Sequence, residues 1–120
     1  MIMTKKSKIC IMTDFGMGPY AWLRGPELTR SRVGQCIADA VTGFPKEYGV
    51  SENLQRDFAE WVIDFEKNYD HVNFDWEEWN HVGIELARKL KKEIGDQFLV
   101  EYHYPHEDPR YDAAPPIIEI

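Results

Sequence analysis

The sequence lacks most features that assign a function at sight. It has two cysteines, Cys10 and Cys36, too few for a disulfide framework and without metal-ligand spacing. Both stand among apolar residues and are expected as buried thiols. No apolar run approaches the ~20 residues that span a bilayer. The opening "MIMTKKSKICIMTDF" places lysines before an apolar stretch, yet "ICIM" is well short of the ~7–15 residues of a signal core, and no small-residue cleavage site follows. It is read as the first strand of a cytoplasmic protein. There is no GxSxG nucleophile motif. "GMGP" lacks the third glycine and helix start of a dinucleotide loop, and its proline removes an amide donor. The "DFG" at 14–16 has neither a phosphate-binding lysine motif nor a catalytic loop with it.

Positive charge is scarce where it would matter for nucleic acid. The chain of 120 residues has a net charge of −7, and the two parts differ. Residues 1–50 hold seven Lys/Arg against four Asp/Glu, a net of +3, and residues 51–120 hold seven against seventeen, a net of −10. A field of that sign repels nucleic acid and anionic membranes and attracts basic partners.

What is present is enough for one folded domain. Hydrophobic residues make up 43%, ordinary for a globular chain of a length that can bury a real core. The expected fold is α+β, with three helices packed on a small sheet of two to three strands. Residues 1–104 are taken as a single globular domain and 105–120 as a proline-rich C-terminal tail. Strands are expected over 8–14 and 97–104, with a short extended piece at "YAWL". In the second strand Phe98, Val100, Tyr102 and Tyr104 alternate with Leu99, Glu101 and His103.

The helices are expected near 30–43, 51–69 and 75–94. The first follows the spacing of Val33, Ile37, Ala40, Val41 and Phe44, with Gly43 as its stop. The second has Ser51 as N-cap and Leu54, Phe58, Trp61, Val62 and Phe65 in one stripe, with Asp57, Glu60 and Asp64 in a separate row along its flank. The third begins in "DHVNFDWEEWNH". Asp75 is its N-cap, Glu78 completes a capping box, and Phe74 and Trp79 form a hydrophobic staple. Trp79, Val82, Leu86, Leu90 and Ile94 point inward, and Gly95 stops the helix.

Catalytic and metal sites find little support in these patterns. Glu78 and His81 have the i, i+3 spacing of di-iron bundles, but the second pair such a site needs is missing. His103, His106, Glu107 and Asp108 gather in "HYPHED", where proline breaks a regular ligand face. No metal, no cofactor and no catalytic residue is therefore expected. Asp14, at the end of a strand and before a glycine loop, reads as a turn aspartate. The alternative is a small cytoplasmic enzyme with a pocket near Asp14 and the His103–Asp108 segment.

The remaining signal is acidity interleaved with aromatics. Trp61, Tyr69, Phe74, Trp76 and Trp79 lie near Asp57, Glu60, Asp64, Glu66, Asp70, Asp75, Glu77 and Glu78. Carboxylates steer a basic partner and aromatics anchor an interface. Asp57, Glu60, Asp64, Asp70, Trp76 and Glu77 are the expected partner-binding residues, with Trp76 the aromatic expected to face outward. In size, charge and tryptophan-rich acidic helices such as "FAEWVIDFEKNYD" and "FDWEEWNHVGIELARKL", the chain resembles the small acidic immunity proteins of bacterial polymorphic toxin systems, including contact-dependent growth inhibition. The resemblance implies a cytoplasmic inhibitor that binds and neutralises a basic toxin domain, often a nuclease, with no direct nucleic-acid or membrane binding. A phage-encoded acidic inhibitor that mimics nucleic acid shares the same physics.

Overall fold

A computed structural model describes residues 6–14, 16–25, 35–111 and 114–120. The elements in order are β1 (Lys8–Ile11), β2 (Pro19–Arg24), β3 (Gln35–Asp39), α1 (Glu52–Asn68), α2 (Trp76–Ile94), β4 (Leu99–His103) and β5 (Ile117–Glu119). The five strands form one mixed sheet in the order β3-β2-β1-β4-β5. β1 and β4 are parallel, and the other three pairings are antiparallel. No helix among the described residues is long and apolar enough to cross a membrane.

The α+β class is observed, but with two helices on five strands in place of three helices on two or three. Gln35–Asp39 is a strand, so no helix runs over 30–43; residues 30–34 lie outside the described residues. Pairing accounts for the difference. Trp22 faces Cys36 and Ala21 faces Ala38 across the β2–β3 ladder, and a packed strand position outweighs a modest helical pattern that includes β-branched Ile37 and Val41. The helical signal survives as one turn. Gly43 N–H donates to the Asp39 carbonyl at 2.9 Å, and the Asp39 carboxylate accepts from Val41 N and Thr42 N, each at 2.8 Å. Gly43, with φ of 69°, ends that turn instead of a helix. The "YAWL" segment is extended within β2, and part of the proline-rich tail enters the sheet as β5. Cys10 is buried, whereas Cys36 on edge strand β3 is exposed, contrary to expectation.

Both helices begin on their local signals, and α2 ends at Gly95. Ser51 Oγ accepts from Leu54 N at 3.2 Å, and Asp75 Oδ1 accepts from Glu78 N at 3.0 Å, so each cap satisfies one free amide of a first turn. Glu93 of α2 adds a cap from outside, accepting from Ser51 N at 2.7 Å and Ser51 Oγ at 2.8 Å. The apolar stripe of α1, Leu54, Phe58, Trp61, Val62 and Phe65, is buried as expected. On α2, Trp79, Leu86, Leu90 and Ile94 are buried, but Val82 is 38% exposed.

The core lies between the helices and the face of the sheet that carries Ile9, Ile11, Tyr20, Val100 and Tyr102. Much of it is aromatic. Tyr20 of β2 stacks on Phe58 of α1, with centroids 4.7 Å apart and planes 9° apart. Gly83 lets α2 settle onto this layer: a Cβ there would lie 2.5 Å from Trp61 Cζ2 and 2.6 Å from Tyr102 Cε1. By strand alternation, Cys10, Glu101 and His103 sit on the opposite face of the sheet.

Candidate functional site

α1 and α2 face each other across a groove of about 660 Å³. On α1, Asp57, Glu60, Asp64 and Asn68 recur at intervals of three and four, so they form a single rim. Glu60 and Asp57 are exposed, as is Asp64, whose Oδ1 accepts from Asn68 Nδ2 at 2.7 Å. The facing rim comes from the loop and α2: Asp75, Glu78, Val82, Leu86 and Lys89. Five carboxylates thus line the groove against one lysine.

Trp61 and Trp79 form its floor. Their rings are stacked, 4.4 Å apart and within 8° of parallel. Each indole N–H crosses to the other tryptophan's backbone carbonyl, both at 2.9 Å. A buried indole needs a partner for its one donor, and here the two satisfy each other while tying α1 to α2. Phe74 lies beside them, 6.1 Å from Trp79 between centroids, closing the staple expected at the start of α2. The floor is therefore rigid and apolar, and the walls are negative.

The six expected partner-binding residues divide cleanly. Asp57, Glu60 and Asp64 line the groove together. Asp70, in the loop after α1, and Glu77, in the first turn of α2, are exposed but do not line it. Trp76 does not face outward. It is 8% exposed and packs edge-on against Phe65, Phe74 and Trp79. The staple sequence explains this: an aromatic at the first helical position is drawn into the cluster that Phe74 and Trp79 create. Asp75 and Glu78 were expected mainly as capping groups and not among the partner-binding residues, yet they also border the groove. Their place was foreshadowed by the α2 spacing, since 75, 78, 82, 86 and 89 trace one helical row.

The segment of the enzyme alternative is arranged differently. Asp14 is exposed ahead of Gly16. Asp108, 1% exposed, accepts from Arg110 NH2 at 2.8 Å and from Asn80 Nδ2 at 3.1 Å. Asn80 also accepts from the Tyr102 hydroxyl at 2.5 Å and donates to the Trp76 carbonyl at 2.8 Å. This chain of bonds anchors the segment after β4 to the start of α2, so Asp108 is occupied in structure. Burial, then the charges of Tyr104 and Asp108, raise the Tyr102 hydroxyl well above its ordinary pKa, and it stays a donor.

Beneath the other face of the sheet lies a second polar cluster. Glu101 Oε1 accepts from Cys10 Sγ at 3.8 Å and lies 3.2 Å from His103 Nε2, while Lys8 Nζ donates to Glu101 Oε2 at 2.9 Å. Burial pushes the Cys10 thiol up to about 11, with the Glu101 charge acting in the same direction. Burial lowers the His103 pKa against the opposing pull of Glu101. For Glu101, burial raises the pKa but the bonds and charges of Lys8 and His103 outweigh it, and the net shift is downward.

No protein-family model, curated protein or solved structure matches this chain.

Proposed function

We propose that this chain is an inhibitor that binds a basic protein domain in the groove between α1 and α2, as an immunity protein neutralises its toxin in the cytoplasm. The groove carries the reading: five carboxylates border an apolar floor fixed by the Trp61–Trp79 stack. Such a surface attracts lysine and arginine side chains over distance and then packs against their aliphatic stems. Its volume of about 660 Å³ accommodates one or two long basic side chains from a loop or helix of the partner. The negative field of residues 51–120 would raise the rate of encounter.

The test uses the product of the adjacent gene, assayed first for toxicity. Calorimetry should show a one-to-one complex, and cells expressing this protein should survive the toxin. The triple variant Asp57→Lys, Glu60→Lys, Asp64→Lys should keep its helical circular dichroism and lose both binding and protection. Full affinity in that variant would place the interface elsewhere, and a neighbouring product without toxicity would remove the inhibitor reading.

A further inference from the structure

Cys10, Glu101 and His103 are held on the two central parallel strands in a way that fits a metal ion. Cys10 and Glu101 are register partners across β1 and β4, and His103 follows Glu101 by two residues, so all three project from one face. Their ligand atoms lie within 4.8 Å of one another. We propose that Cys10 Sγ, Glu101 Oε1 and His103 Nε2 bind a divalent zinc-type ion, with water in the fourth position.

The distances support a tetrahedral ion. Zinc bonds of about 2.3 Å to sulfur and about 2.0–2.2 Å to nitrogen and oxygen put neighbouring ligand atoms roughly 3.4–3.6 Å apart. The observed 3.8 Å from Sγ to Oε1 and 3.2 Å from Nε2 to Oε1 bracket that range. The mixed sulfur, nitrogen and oxygen set suits a borderline-soft ion and not magnesium or calcium.

Charge and orientation agree with this. Binding expels the thiol proton to solvent, and the resulting thiolate and carboxylate together neutralise the dication. Lys8 takes Oε2, which turns Oε1 toward Cys10 and His103, the usual work of an outer hydrogen bond around a metal site. A plain polar cluster explains the Lys8–Glu101 pair. The buried Cys10 thiol donates to Glu101 Oε1 at 3.8 Å in the metal-free cluster, and metal binding replaces that proton with the ion.

The experiment starts from the full chain stripped of metal by chelation. Zinc is added in a calorimeter, and cobalt is followed by absorbance. One equivalent of each should bind, cobalt should give a thiolate charge-transfer band in the near ultraviolet, and zinc should raise the melting temperature. The Cys36→Ser variant, whose sole thiol is Cys10, should retain the band. Cys10→Ser should abolish it, and His103→Gln should weaken zinc binding by roughly tenfold or more. A Cys36→Ser protein that binds cobalt without the band, or binds no zinc, overturns the site whatever the folding of the other variants. So does zinc affinity unchanged in folded Cys10→Ser.

Discussion

Gly83 and Trp76 show how a single position can be misjudged when its neighbours are not yet known. In isolation, Gly83→Ala should favour a helix by about 1 kcal/mol. Here the new methyl group would meet Trp61 and Tyr102 well inside contact distance. The expected outcome is a net loss of about 1–3 kcal/mol, the cost of overpacking a filled core, read as a lower urea midpoint with an unchanged slope. Trp76 has the composition of an interface anchor but the burial of a core residue, at 8% exposed. Trp76→Ala should therefore cost about 3–5 kcal/mol in chemical denaturation, since it empties the space among Phe65, Phe74 and Trp79. A loss under 1 kcal/mol would contradict this packing.

At the scale of elements, α1 and α2 could be read from the chain because their signals are local. Ser51, Asp75 and Gly95 mark ends, and each apolar stripe has helical spacing over more than three turns. The segment at 35–39 could not be read this way, because its partner β2 decides its state and five residues carry too little periodicity to reveal it. The same limit hid β5, a three-residue edge strand among prolines. For the groove, the α1 rim was visible as a row of acids; the Trp61–Trp79 floor and the α2 rim became a site only once the helices were paired. Pairing also creates the Glu93 cap, which joins residues 42 apart in sequence. Glu93→Ala should cost roughly 0.5–1.5 kcal/mol, as loss of exposed hydrogen bonds does. Amide exchange should quicken in the first turn of α1 and scarcely at all in the last turn of α2.

For the molecule as a whole, the acidic field and the fold should respond separately. Reversal of Asp57, Glu60 and Asp64 removes exposed charges and should leave stability within about 1 kcal/mol of wild type. Association with a basic partner should slow, and the difference from wild type should narrow as salt shortens the reach of the field. Stopped-flow rates at two ionic strengths check this; a salt-independent defect would mean lost contacts and not lost steering. The parallel pairing of β1 with β4 has another consequence, for how the chain is made. Cys10 and Glu101 pair across 91 residues, so one edge of β1 waits through the synthesis of β2, β3 and both helices before its parallel neighbour β4 exists. Closing so distant a contact is a late and slow event. A chain ending at residue 98 should have nascent helices and no cooperative unfolding transition, because one side of its first strand is left bare. During translation β1, β2 and β3 can thus pair before either helix exists, and the free side of β1 is covered only once β4 has been made.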